Sequence, residues 1–106
     1  MEEVIQRLRQ FRDERNWQQF HNPKDLALAL SIEASELLEV FLWKPPEAAD
    51  RERVKEELAD VLAYALLLSD TYNFDIKKIV LEKIEKNELK YPVQKAKGTA
   101  KKYNEL

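Results

Sequence analysis

The sequence has 106 residues, a net charge of −2 and no cysteine, which fits one domain with a single modest core and excludes thiol chemistry and a disulfide framework. One glycine against four prolines, with 44% hydrophobic and 36% charged residues, favours an all-α soluble protein over turn-rich sheet. The charge balance gives no bulk attraction to nucleic acid or membranes. No apolar run reaches spanning length, and MEEVIQRLRQ at the start lacks a signal-peptide core, so a cytoplasmic location is expected.

Periodicity predicts a first helix over about residues 2–16. Val4, Ile5, Leu8 and Phe11 form a narrow apolar stripe, with Arg7, Arg9, Arg12 and Arg15 mostly outside it on a solvated basic face. Trp17, Phe20 and His21 then crowd three rings into a connection. A Trp there can plug the end of a bundle and a His can be a structural hydrogen-bonding group, but rings just before an acidic helix can also stack on a planar ligand. Asn22-Pro23 reads as an N-cap and first helical residue, opening a second helix over about 23–43 that Lys44-Pro45-Pro46 stops. Trp43 at its far end can be simple core.

That second helix carries the decisive pattern. Leu26, Ala29, Leu30, Leu37 and Val40 form its apolar stripe, and Glu33 and Glu36 fall inside it. A third helix, over about 47–72, repeats the device: Val54, Leu58, Val61, Ala65 and Leu68 form the stripe, Glu57 lies within it, and Asp60 and Tyr64 run along its edge. Spacing of i, i+3 puts each acidic pair on one helix face. No Lys or Arg occurs between Lys24 and Lys44, or between Lys55 and Lys77, so helix ion pairs cannot neutralise these acids. Desolvation costs several kcal/mol per ion, and two carboxylates about 4 Å apart repel by roughly 4 kcal/mol at an effective dielectric near 20. A bound cation removes both penalties, and four oxygen ligands suit a hard ion, Mg²⁺ or Mn²⁺. Leu66, Leu67 and Leu68 make the second half of this helix apolar nearly all round, as at the centre of a bundle or at a subunit interface.

Asp75 caps a fourth helix over about 76–90, with Ile76, Ile79, Val80, Ile84 and Leu89 apolar. Lys83 and Asn87 are four residues apart, and Lys90 and Tyr91 lie three and four residues beyond Asn87, so the four form a polar ridge. Residues 93–106, with low hydrophobicity and Gly98, read as an extended tail. The lysines between Lys77 and Lys102 offer counter-charge for an anion. Carboxylates for a magnesium ion, rings on one side and lysines on the other fit a planar base joined to phosphates.

The pair Glu33-x-x-Glu36 followed by Glu57-x-x-Asp60 resembles the signature of the all-α, MazG-like nucleotide pyrophosphohydrolases. The stretches WQQFHNPKDLALAL, EASELLEVFLWK, EELADVLAY, KNELKYPV and KGTAKKYNEL resemble the dCTP pyrophosphatase branch of that family over nearly the whole chain. The resemblance implies a single domain, 1–106, forming a four-helix bundle completed by homo-oligomerisation, as a dimer or a dimer of dimers. It implies magnesium-dependent hydrolysis of dCTP between the α and β phosphates, with Glu33, Glu36, Glu57 and Asp60 as metal ligands and Glu33 or Glu36 orienting water. Trp17, His21, Trp43 and Tyr64 would line the base and sugar pocket, and Lys83, Asn87, Lys90 and Tyr91 would contact phosphate. The linker KPPEAADRERVK is short beside vertebrate members, which bears on base selection. Two other readings stay open: the same reaction on dUTP or a damaged purine triphosphate, and a non-enzymatic helical interaction module.

Overall fold

A computed structural model describes residues 1–106. It is all-helical and divides into two compact units, Met1–Asn73 and Phe74–Leu106. In the first unit α1 (Glu2–Glu14), α2 (Pro23–Glu39) and α3 (Arg51–Thr71) pack together, with α3 contacting both of the others. The second unit holds α4 (Ile76–Lys90) and a single helical turn, α5 (Val93–Ala96).

Local chemistry explains the helix starts. The Asn22 side chain accepts from the Asp25 backbone N–H at 2.9 Å, and Pro23 supplies a preset φ where no N–H is needed. Asp50 caps α3 through the Glu52 N–H at 3.0 Å, and Asp75 caps α4 through the Lys78 N–H at 3.1 Å. The Asp50 cap also corrects the expected start of the third helix. Residues 47–50 are not its first turn, because Pro46–Ala48 form a separate 3-10 turn and Ala49 is extended before the cap.

The second helix ends at Glu39, short of Trp43. Backbone bonds from Val40, Phe41 and Leu42 reach back three residues, to Leu37, Leu38 and Glu39, tightening the chain into turns. Trp43 then adopts φ 62°. Pro45 disfavours helical backbone at Lys44, so the chain leaves the helix before it.

The core of the first unit is small. Leu26 and Val40 are 1% and 0% exposed, and Leu66 and Leu67 are buried with Ser69 on α3. Leu58, expected on the buried stripe, is largely exposed, as are Leu28, Ile32, Leu38 and Leu62. On α4 the apolar Ile79, Val80, Ile84 and Leu89 are exposed too. An ion pair ties α1 to α3: the Arg9 guanidinium grips the Asp70 carboxylate with both forks, Nε donating to Oδ2 at 2.8 Å and Nη2 to Oδ1.

The last segment is not simply extended. Gly98 turns the chain at φ +80°, and Tyr103–Glu105 form a 3-10 turn. Tyr103 meets Tyr91 edge to face, with ring centroids 6.3 Å apart, and Lys90 Nζ lies 5.0 Å from the Tyr103 ring centroid. Ring contacts and a cation–π contact therefore fold the tail back onto the end of α4. No helix is long and apolar enough to cross a membrane.

Candidate active site

The two acidic helices are consecutive, and their packing pairs the start of α2 with the second half of α3: His21, just before α2, lies 6.4 Å from Tyr64, centroid to centroid. Deeper along the pair, Glu33 and Glu36 of α2 meet Glu57 of α3, with one carboxylate oxygen from each within 4.8 Å of the others. Antiparallel packing of neighbouring helices is what brings i, i+3 pairs on each helix to the same level. Asp60, one turn beyond Glu57, stands outside that group and is more exposed, yet its charge acts on Glu33, Glu57 and Tyr64 alike.

Electrostatics make the cluster a place where a cation could be held. The Glu33 carboxyl is pushed up to about 7 by burial first, then by the hydrogen bond and charge of Glu36. Burial and the Glu36 charge raise Glu57 as well, with Arg53 pulling weakly the other way. Oε2 of Glu33 and Oε2 of Glu57 are buried with no hydrogen-bond partner, and no ion pair reaches any of the four acids. Buried carboxylate oxygens without partners, in an all-oxygen donor set, fit a hard divalent cation.

Beside this cluster is a cavity of about 250 Å³. Helix α1 contributes Leu8, Phe11 and Arg12, the following connection contributes Trp17 and His21, and α3 contributes Asp60, Ala63, Tyr64 and Leu67. Asp60 therefore belongs to the cavity wall and to the acidic helix face at once. Phe11 and Trp17 sit edge to face at 5.8 Å, and Arg15 lies over the Phe11 ring at 3.7 Å, so the aromatic wall is braced. Burial, helped by the Arg12 charge, lowers the His21 pKa and keeps the imidazole neutral near pH 7. The Tyr64 hydroxyl is raised by burial and by Glu33, Asp60 and Glu36.

Of the expected base-pocket residues, Trp17, His21 and Tyr64 come together, whereas Trp43 is 98% exposed and lies outside the cavity. Lys83, Asn87, Lys90 and Tyr91 belong to the second unit, where Lys90 and Tyr91 engage Tyr103. Sequence reasoning missed the contribution of α1. Arg12, expected on a solvated face, has a side chain that is only 13% exposed and lines the cavity. The available signal was its position next to Phe11 in a helix leading directly to Trp17.

A family model described as the MazG-like family matches residues 28–106. The chain belongs to the MazG-like family. Curated relatives agree: this MazG-like chain is 42% identical over 98% of its length to dCTP pyrophosphatase 1 of Bos taurus, covering 67% of that protein. The same share of the chain is 42% identical to dCTP pyrophosphatase 1 of Homo sapiens, covering 66% of it. The chain thus spans about two thirds of the length of these relatives. Among solved structures, a pyrophosphatase from Archaeoglobus fulgidus DSM 4304 is 45% identical with a TM-score of 0.81, over 87% of this MazG-like chain and 92% of that one.

Proposed function

We propose that the chain is a nucleotide pyrophosphohydrolase that converts dCTP and water to dCMP and diphosphate, as a homo-oligomer with Mg²⁺ held by Glu33, Glu36, Glu57 and Asp60. The observation that carries this reading is the junction at Asp60, where an aromatic cavity adjoins three grouped carboxylates with orphaned buried oxygens. The relatives named for dCTP supply the substrate.

At about 250 Å³ the cavity falls below the roughly 300–1,000 Å³ usual for larger ligands, so it suits the base, with the phosphates outside it. Trp17 and Tyr64 hold the ring by stacking and edge contact, and His21 remains neutral beside it. Asp60 bridges the two halves of the site, so a base in the cavity places the α-phosphate beside the carboxylates. A divalent cation in the cluster would screen the phosphate charge and favour ionisation of water. The Glu33/Glu36 pair orients the attacking water and takes its proton on a carboxylate oxygen. We assign phosphate contact to Lys83, Asn87, Lys90 and Tyr91, supplied by the same or a neighbouring copy of the chain. Exposed Trp43 and the exposed apolar faces of α2, α3 and α4 are covered by further copies of the chain. A cytoplasmic setting, where nucleotide pools are found, completes the reading.

The test is product analysis by ion-exchange chromatography after incubation with a panel of nucleoside triphosphates, with and without Mg²⁺. Metal-dependent formation of dCMP and diphosphate from dCTP is expected. Release of orthophosphate and dCDP, or no turnover of any nucleotide, would refute it.

A further inference from the structure

We propose that Arg12 is a specificity-determining residue that selects cytosine over uracil and thymine by donating to two adjacent acceptors on the base edge. The inference rests on the nucleotide reading above and adds to it the group that reads the base. Arg12 reaches the cavity from α1, beside rings that hold a base by its faces and so tolerate any base. Discrimination therefore needs a polar group at the edge.

The Arg12 Nε donates to Asp13 Oδ1 at 2.8 Å, which orients the guanidinium, and neither Nη1 nor Nη2 donates to a protein acceptor. The Arg12 side chain is 13% exposed and lines a mainly apolar cavity that also holds His21, Asp60 and Tyr64. The Arg12 charge is met by Asp13 and also acts on Asp70, which leaves the two Nη groups free to donate to a ligand's acceptors at the cavity wall. Guanidinium is donor-only and forked. Neutral cytosine presents O2 and N3 as neighbouring acceptors, matching two N–H groups. Uracil and thymine carry a hydrogen on N3, so one donor would face another and both would be left unpaired. A site built on such a pair rejects the mismatched base far more strongly than an apolar slot does.

The test compares Arg12→Met, which keeps the length without the donors, and Arg12→Gln, whose amide can both donate and accept, with the unsubstituted protein. Two readouts are taken: kcat/KM for dCTP and dUTP, and binding of dCMP and dUMP by titration calorimetry. We expect the parent to favour dCTP and dCMP by about ten- to a hundredfold. Arg12→Met should bring that ratio to within about threefold, mostly through loss on the cytosine side, and Arg12→Gln should move it toward uracil. An unchanged ratio in either folded variant overturns the inference, and so does an equal loss on both nucleotides, which would make Arg12 a general binding group. A parent that hydrolyses dCTP but does not discriminate against dUTP removes this inference alone. A parent that hydrolyses no nucleotide removes the functional reading along with it.

Discussion

Replacing Glu33 with Gln should stabilise the metal-free protein at neutral pH. The Glu33 carboxyl is raised from its ordinary 4.5 to about 7 by burial and by Glu36, so the folded chain holds this proton more tightly than the unfolded chain does. Between those two values the folded state binds more protons, and its stability falls as pH rises. The full shift corresponds to at most about 3 kcal/mol at neutral pH. Because Glu33 is partly solvated, screening reduces the expected effect to about 1–2 kcal/mol, or roughly 5–10 °C in Tm for a domain near this size. Glutamine mimics the protonated acid and can still donate to Glu36, so it keeps the contact and removes the repulsion. The assay is thermal unfolding followed by circular dichroism in EDTA from pH 5 to 8, for parent and variant. His21, lowered by burial, contributes a slope of opposite sign, but it is common to both proteins and cancels in their difference. The Tm gap should widen in favour of Glu33→Gln as pH rises and should reverse when Mg²⁺ is added, because the variant loses a ligand. A gap independent of pH, or a variant less stable than the parent at pH 8 in EDTA, would refute the account of these carboxylates.

Glu36→Gln and Asp60→Asn should each lower kcat by at least about a hundredfold with the helical signal intact, as read by steady-state kinetics and circular dichroism. Arg9→Ala leaves the Asp70 carboxylate, 15% exposed, without its partner, and should lower the midpoint of urea unfolding. Arg9 holds the Asp70 pKa below its usual value, so that contribution is present above about pH 4. It should vanish as pH falls through the lowered Asp70 value, and the parent and Arg9→Ala should then converge. Trp17→Ala should raise KM for the nucleotide about tenfold or more, the loss of one stacked ring, measured across a full substrate titration.

The sequence by itself determined the elements and their chemistry. Asn22-Pro23 and Asp75 cap helices through bonds that span three residues, and α4 runs from Ile76 to Lys90 as its pattern predicts. The two acidic pairs were legible because carboxylates on apolar stripes, in long cation-free windows, conflict locally with their surroundings. Interactions within a turn or two of helix are set by neighbours along the chain, so periodicity and capping residues suffice to read them. Tertiary structure decided what meets across the chain. Arg9 finds Asp70 at a separation of 61 residues, and Arg12 turns from an expected solvated face to a cavity wall because α1 packs on α3. Trp43 projects into the open because the helix unwinds before Pro45, and the tail returns because Tyr103 finds Tyr91 and Lys90. A helix pattern tells which residues share a face; only the packing of helices tells which face has a neighbour, since burial is a property of the pair and not of either helix alone.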